Sequence, residues 1–234
     1  MPKEHGERRL EIITTARDLF VARGYDGCTV NDIIEAVGIA KGTFYHYFSG
    51  KEALLHALVE HLTGDIMARV NVIAEDRTRS ALDRLTAYFR ESVVVKAQNR
   101  ETMLVVLYAL YRPENTMLRI GILERSAQLI APVLAHMIRD GVEEGEFRVD
   151  DPELCGEYII RSFSTLSERA GKTILAAPDA PELLAEMHRI YDFMEWTLAR
   201  LLDVERKRVV IADRAVADTL FGTATTDSPK EKEI

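Results

Sequence analysis

The sequence predicts an all-α protein. Apolar residues recur at intervals of three and four along most of the chain, which is the spacing that places them on one face of a helix. No stretch shows the sustained alternation of apolar and polar residues that a half-buried strand requires. Glycine, proline and small polar residues stand between the periodic stretches, where helix caps and turns are expected.

Helix one is predicted from an apolar stripe and its end. Ile13, Ala16 and Phe20 recur at helical spacing from about Arg8 onward. Gly24 follows at the position where a left-handed C-terminal cap is expected. The first helix should therefore end there.

Helix two is predicted to begin at Thr29. Thr29 can cap the helix, and Asp32, three residues later, completes a capping-box pattern. The apolar stripe consists of Val30, Ile33, Ile34 and Val37. Gly38 should end this helix, because glycine tolerates the positive φ of a tight turn.

A third short helix is expected from about Lys41 to Phe48. Two short helices joined by a turn with a glycine form the helix-turn-helix pattern. Phe44 and Phe48 are four residues apart, so they share the face that should pack against the first two helices. Lys41 and the Gly42 amide lie near the N-terminal end, where free N–H groups favour a phosphate. The pattern suits a helix with its front in the major groove of DNA.

Residues 24–55, GYDGCTVNDIIEAVGIAKGTFYHYFSGKEALL, resemble the DNA-binding signature of the tetracycline-repressor (TetR) family of bacterial transcriptional regulators. The resemblance combines a start cap, a turn glycine, K-G-x-x-Y and F-x-x-K-E at fixed spacing. It implies a helix-turn-helix DNA-binding domain in residues 1–51 and a helical ligand-binding and dimerisation domain in residues 52–208. A candidate short helix and a disordered tail occupy residues 209–234.

The same resemblance implies DNA contacts at Thr29, Lys41, Gly42, Thr43, Tyr45, His46, Tyr47 and Lys51. We expect Thr43 to be the chief reader of bases, Lys41 a mixed contact, and Thr29 and Lys51 phosphate contacts. Ala40 departs from the family, which usually has a capping serine there, and losing that cap should cost about 1 kcal/mol locally. Taken singly, the tyrosines could be packing residues, the lysines solvated charges and the histidine structural.

Further helices are expected near residues 52–72, 78–98, 100–111, 114–144, 152–170 and 181–204. Pro132 lies inside one of them and should kink or divide it. Residues 103–111, MLVVLYALY, are apolar all round, which predicts a helix enclosed by others.

Helices at this place line a small-molecule pocket in the resembled family. The resemblance therefore makes Met103, Leu107, Tyr108 and Tyr111 candidates for contact with an apolar or amphipathic effector, although plain core packing is the alternative for each.

The last two long helices have apolar faces wider than one small bundle needs. One face contains Leu154, Tyr158, Ile159, Phe163 and Leu166, and the other contains Leu183, Leu184, Met187, Ile190, Tyr191, Met194, Leu198 and Leu201. Two such helices could meet their symmetry mates in the four-helix interface of a twofold homodimer, which the resemblance also implies.

The charge and the cysteines limit the class of protein. The formal net charge is -8, but residues 1–51 hold seven Lys/Arg against seven Asp/Glu, so all of the excess, 23 against 31, lies in residues 52–234. An acidic total therefore does not exclude DNA. The polar N-terminus and the lack of a run of roughly 18 to 20 uncharged apolar residues predict a cytoplasmic protein. In that compartment Cys28 and Cys155 should be packing residues rather than a disulfide.

Enzymatic and metal-dependent functions find little support. His56, Glu60 and His61 follow an order that matches no zinc motif, and no nucleophile, P-loop or dinucleotide fingerprint occurs, so we expect no enzyme, metal or cofactor. The sequence favours a ligand-responsive, sequence-specific repressor that binds a palindromic operator, with residues 51–72 as the lever. The alternatives are an enzyme that uses the apolar pocket and a nucleoid-associated or interaction module without an effector.

Overall fold

A computed structural model describes residues 5–176 and 181–221. These residues form ten α-helices and contain no β-strand, which confirms the predicted all-α class. The helices are α1 (His5–Arg23), α2 (Val30–Val37), α3 (Lys41–Tyr47), α4 (Lys51–Ala74), α5 (Ala81–Gln98), α6 (Arg100–Leu110), α7 (Thr116–Glu143), α8 (Pro152–Ala176), α9 (Pro181–Leu202) and α10 (Arg214–Phe221). Short 3-10 helices, Pro113–Asn115 and Arg206–Arg208, precede α7 and α10.

The caps that separate α1, α2 and α3 follow the sequence prediction. Gly24 and Gly38 adopt left-handed φ values of 74° and 71°. Thr29 accepts a hydrogen bond from the Asp32 amide at 3.2 Å, and Asp32 accepts one from the Thr29 amide at 2.7 Å. This reciprocal capping box satisfies two amides that the helix itself leaves without partners.

A first hydrophobic core joins α1 to α4. Phe44 and Phe48 of α3 and its C-cap are buried, and their ring centroids lie 5.9 Å apart, as the four-residue spacing predicts. The core also includes Ile12, Ile13, Ala16, Phe20, Ile33, Leu54, Leu55 and Leu58. Val106 and Ala109 of α6 belong to the same core, so α6 packs directly against the N-terminal helices.

A second core lies among α5, α7, α8 and α9. It also takes Val70 and Ala74 from the end of α4, so α4 contributes to both cores. Arg84 is fully buried here, and its guanidinium donates to Asp140 at 2.8 Å and to the Ala74 carbonyl at 3.0 Å. A buried arginine is tolerated because these acceptors satisfy part of its donor set.

Gly156 allows the close approach of α7 and α8. A Cβ atom at Gly156 would lie 2.8 Å from the Ala135 amide nitrogen and 2.9 Å from the Ala131 carbonyl oxygen, both backbone atoms of α7. The two helices therefore approach more closely than any larger residue would permit.

Some expectations for the C-terminal part were wrong. Helix α6 is not enclosed, since only Val106 and Ala109 of its residues are buried and Tyr108 is 46% exposed. Its apolar residues instead lie on three sides of the helix: some pack in the first core, some pack against the second core, and some line the cavity described below. Helix α7 continues through Pro132 as one element, so of the two predicted effects the division is absent and the kink stays a prediction.

The C-terminal segment also differs from the sequence prediction. Helix α10 begins at Arg214 rather than near Val209, because Val209 and Ile211 are buried in the second core as non-helical chain. The predicted disordered tail lies outside the described residues from 222 onward. In the described part of the chain, no helix is both long enough and apolar enough to span a bilayer.

Candidate DNA-contacting surface and effector cavity

Helix α3 separates its residues into a buried back and a polar front. Phe44 is fully buried, whereas Lys41, Gly42, Tyr45 and His46 are exposed. Thr43 and Tyr47 are half-buried at the edges of this front. The structure therefore brings six of the eight predicted DNA-contacting residues onto one short helix, with cationic, hydroxyl, aromatic and backbone amide groups available to a ligand.

The N-terminal end of α3 has no side-chain cap. Ala40 occupies the cap position in extended backbone geometry, with φ −70° and ψ 149°, and offers no hydrogen bond to the helix. The first amides of α3, those of Lys41 and Gly42, therefore remain free of a side-chain acceptor. Free amides at the start of a helix are donors that suit a phosphate.

Thr29 is exposed at the start of α2, but its side chain already has partners. Its hydroxyl donates to the carboxylate of Asp32 as well as accepting from the Asp32 amide. These hydrogen bonds from Thr29, with the nearby Arg23, lower the pKa of Asp32 below its ordinary value. Asp32 therefore stays ionised at neutral pH, the Thr29 hydroxyl is already hydrogen-bonded within the protein, and its phosphate contact stays a prediction.

Lys51 is held by the protein itself. Its ammonium donates to the carbonyl oxygens of Tyr25 at 2.9 Å and Cys28 at 3.0 Å, and lies 4.2 Å from the centroid of the Tyr25 ring. An ammonium has three protons, so one remains for a phosphate. The predicted phosphate contact stays a prediction, and sequence reasoning missed the internal role of this side chain.

Tyr47 and His46 pack against the beginning of α1. The His5 ring lies 4.6 Å from the ring of Tyr47 and 5.6 Å from that of His46, measured between centroids. Both α3 residues thus have a structural contact besides any contact with DNA. The sequence analysis did not single out His5, because nothing in its local pattern reveals a neighbour 41 residues away.

A cavity of about 440 Å³ lies in the C-terminal part of the protein. Helices α4 to α9 all contribute to its wall, which is mainly aliphatic and aromatic. Met103, Leu107 and Tyr108, three of the four predicted effector contacts, line it. Its size is within the usual range for pockets that hold small organic ligands.

Tyr111, the fourth predicted effector contact, is not among the residues that line the cavity. It stands at the C-cap of α6, where the chain turns away from the cavity, and its hydroxyl donates to the carbonyl oxygen of Glu168 at 3.1 Å. The Arg119 guanidinium lies 4.5 Å from the centroid of its ring. Tyr111 therefore holds α6 to α7 and α8.

The charged residues in the cavity wall are both cations. Lys96, in the last turn of α5, and Arg100, in the first turn of α6, line the cavity, and no aspartate or glutamate among residues 5–176 and 181–221 does. Burial lowers the pKa of Lys96 below its ordinary value, because the charged form loses hydration. Hydroxyl groups are supplied by Thr63, Ser92, Ser126, Ser164 and Ser167.

Helix α6 stands between the cavity and the DNA-contacting part. Tyr108 lines the cavity and also borders a smaller pocket formed with residues 23–27 at the end of α1. One turn later, Arg112 forms an ion pair with Asp26 in the loop between α1 and α2. A change in the cavity wall thus has a short route, through packed residues, to the helices that carry α3.

The outer faces of α8 and α9 expose large apolar side chains. Leu154 and Tyr158 of α8 are 65% and 56% exposed, and Phe193 and Trp196 of α9 are 54% and 48% exposed. The rings of Phe193 and Trp196 stack with centroids 5.9 Å apart. Most of the apolar residues that were expected to meet a symmetry mate, among them Phe163, Met187 and Leu198, are instead buried in the second core of the same chain, and Phe193 and Trp196 were not on the predicted face.

Both cysteines are free thiols, Cys28 in the first core and Cys155 beside the second. The three residues considered for a metal separate into two half-exposed pairs on α4. His56 lies 3.8 Å from Glu60, and His61 lies 3.8 Å from Asp65. Among the described residues, no group of three or more potential ligands converges on a point.

Comparison with known proteins agrees with this geometry. Residues 12–58, which span α1 to the first part of α4, match the family described as bacterial regulatory proteins, tetR family. The chain is 26% identical over 157 residues to the HTH-type transcriptional repressor DhaR of Mycobacterium sp. strain GP1, covering 66% of this chain and 78% of that protein.

Solved structures share the fold over most of this chain. A TetR-family transcriptional regulator from Pectobacterium atrosepticum has a TM-score of 0.65 at 19% identity, over 86% of this chain and 98% of that one. The transcriptional regulator FadR from Bacillus subtilis, solved in complex with stearoyl-CoA, has a TM-score of 0.57 at 20% identity, over 79% of this chain and 96% of its own. At these identities the likeness concerns the fold alone.

Proposed function

Because the chain belongs to the TetR family of bacterial regulatory proteins, we propose that it is a transcriptional repressor whose DNA affinity a small molecule controls. It binds a palindromic operator as a homodimer and leaves it when an apolar or amphipathic effector fills the cavity. One observation carries the proposal: α3 buries Phe44 and Phe48 while it exposes Lys41 and Tyr45.

The buried apolar back and the polar front of α3 support sequence-specific DNA binding. A recognition helix needs an apolar back to fix its position and a polar front to meet base edges and phosphates. Lys41 and the first amides of α3 are suited to phosphates, and Thr43 and Tyr45 to the floor of the major groove. Tyr47, His46 and Lys51 contribute less in this proposal, because His5 and the loop carbonyls already occupy part of their surfaces.

The exposed aromatics support a twofold dimer. Leu154, Tyr158, Phe193 and Trp196 leave apolar surface on neighbouring helices, and such surface is usually buried in an interface. Pairing α8 and α9 with their mates forms a four-helix contact in which each patch meets its own copy. A dimer of this kind presents two α3 helices about 34 Å apart, or a multiple of it, to adjacent turns of one DNA face.

The cavity and α6 support control by an effector. A ligand shifts the equilibrium only if it binds one conformation better than the other, and the change in DNA affinity equals that ratio. Helix α4 supplies Thr63, Ile66 and Met67 to the cavity and its first turns to the core beneath α3. Helix α6 makes a second connection through Tyr108 and the ion pair of Arg112 with Asp26.

The experiment that tests this function begins with DNA. Purified protein is mixed with fragmented genomic DNA of its source, and the retained fragments are sequenced. The proposal predicts a few enriched fragments that share an inverted repeat and bind with strong salt dependence. Uniform retention of all fragments would instead favour a nucleoid-associated protein, and no retention would remove the proposal. Small molecules related to the products of the neighbouring genes are then tested for release of the enriched fragment.

A further inference from the structure

Lys96 places a positive charge in the wall of a mainly apolar cavity. It extends from the last turn of α5, one turn after Ser92, which lines the same wall. Phe89, Val93, Leu104 and Met194 are among the apolar residues that line the cavity with it. Lys96 is half-buried, and removing even part of the hydration of an ammonium without a counter-charge is costly, so its place here calls for an explanation.

No carboxylate of the described residues forms an ion pair with Lys96. Lys96 makes neither an ion pair nor a side-chain hydrogen bond in the described part of the chain, and burial alone accounts for its lowered pKa. The other titratable groups in the wall are Arg100 and the phenols of Tyr88, Tyr108 and Tyr191. Arg100 is engaged in another interaction, and burial raises the pKa of Tyr191 to about 12, so that phenol stays neutral.

We propose that the effector is an apolar molecule with a single carboxylate, and that Lys96 binds this carboxylate inside the cavity. The inference rests on the proposed function, since it names the ligand class of the effector cavity. The ammonium of Lys96 balances one negative charge, whereas a phosphate dianion would need a second cation, and Arg100 is already engaged in another interaction. The aliphatic and aromatic wall takes the rest of the molecule, whose burial supplies most of the binding energy.

The ligand set for the test differs in the headgroup alone. Decanoate, decan-1-ol and decylammonium have the same ten-carbon length and carry a negative, zero and positive charge. Each is titrated calorimetrically into the full-length protein at pH 7. We expect decanoate to bind at least about tenfold more tightly than decan-1-ol, as a charge-assisted hydrogen bond in an apolar site should give, and decylammonium to bind weakest.

Three variants test whether Lys96 causes the preference for decanoate over decan-1-ol. Lys96→Met keeps the length of the side chain and removes its charge, so decanoate should bind about tenfold or more weakly and decan-1-ol equally or better. Lys96→Arg retains a cation and should keep the preference for decanoate. Lys172→Met is the matched control, because Lys172 is exposed on α8 and does not line the cavity, and it should behave as the unaltered protein.

Two results would overturn the inference. One is equal affinity of the unaltered protein for decanoate and decan-1-ol, or no binding of decanoate at all. The other is a Lys96→Met variant that is folded by circular dichroism and retains the preference for decanoate. DNA capture with the same protein distinguishes failure of this inference from failure of the proposed function. Equal affinities for the three headgroups together with specific DNA binding would overturn the ligand class alone. Absence of specific DNA binding would overturn the proposed repressor function, whatever the ligand titrations show.

Discussion

The ammonium of Lys51, at the start of α4, donates a 2.9 Å hydrogen bond to the carbonyl oxygen of Tyr25 and lies 4.2 Å from the centroid of its ring. A second hydrogen bond, 3.0 Å long, reaches the carbonyl oxygen of Cys28. One side chain thus ties the loop between α1 and α2 to the helix that follows α3. The positions of α2 and α3 depend on this loop, so Lys51 orients the DNA-contacting surface even where it does not touch DNA.

Replacing Lys51 by methionine should lower the free energy of unfolding by about 2 kcal/mol, because two hydrogen bonds from a charged donor are lost. Urea denaturation measures this change. The salt dependence of operator binding should fall little, since the ammonium is mostly occupied by the protein. Unchanged stability with a clear fall in salt dependence would show instead that Lys51 serves chiefly as a phosphate contact.

Replacing Lys41 by alanine should leave stability almost unchanged and weaken DNA binding, the opposite of the result expected for Lys51. Lys41 is exposed, so stability should change by no more than about 0.5 kcal/mol. Operator affinity should fall, and the slope of log K against log salt should become less negative by about 0.9, the value for one phosphate contact. Fluorescence anisotropy between 50 and about 200 mM salt gives the slope. An unaltered slope would mean that Lys41 does not meet a phosphate.

Replacing Gly156 by alanine should destabilise the protein by about 1 to 3 kcal/mol, since the new methyl group would meet the backbone of α7 at Ala135 and Ala131. Gly121→Ala is the matched control. Gly121 is exposed on α7 and has no atom within 4 Å of the added methyl group, so alanine there should stabilise the helix by roughly 0.5 to 1 kcal/mol. Thermal unfolding compares the two, and equal effects would contradict the close approach of α7 and α8.

Replacing Tyr158 and Phe193 together by glutamate should convert the dimer to a monomer, because charges would be buried in the proposed four-helix contact. Sedimentation equilibrium measures the mass. Val72→Glu is the control, since Val72 is an exposed apolar residue of α4 away from α8 and α9. A dimer that survives the double substitution would place the interface elsewhere.

The lowered pKa of Lys96 predicts the pH dependence of both stability and ligand binding. Between this lowered pKa and the ordinary value of 10.5, the unfolded chain holds more protons than the folded one. The ligand-free protein should therefore gain stability as pH rises through that window, and Lys96→Met should lack the gain and be more stable at pH 7. Decanoate affinity should fall over the same rise, because the ammonium that binds it is lost. Thermal unfolding and calorimetry at stepped pH values measure both, and flat profiles would contradict a partly dehydrated, unpaired Lys96 in the cavity wall.

The N-terminal helices were predictable because their signals are local. Thr29 with Asp32 and the two left-handed glycines, Gly24 and Gly38, fix where α1 and α2 end or begin, and neighbours along the chain suffice to read them. The spacing of Phe44 and Phe48 likewise revealed which side of α3 is buried. Short-range patterns of this kind survive folding because the tertiary contacts agree with them.

The features that sequence reasoning missed depend on residues far apart in the chain. Lys96 resembles any surface lysine at the end of a helix until the other helices close around it. Lys51 meets carbonyl groups more than 20 residues earlier. The apolar run of α6 predicted enclosure, but the helix divides its apolar residues between two cores and a cavity, an arrangement that no periodicity distinguishes from a plain core.

In the proposed function, operator recognition depends most on α3, the helix that reads DNA. The direct measurement is the affinity of a protein with Lys41 and Tyr45 both replaced by alanine for the captured operator fragment, at fixed salt, with folding checked by circular dichroism. Loss of two contacts of about 1 to 3 kcal/mol each should weaken binding about 100-fold or more. A folded double variant that binds the fragment as tightly as the unaltered protein would contradict the account.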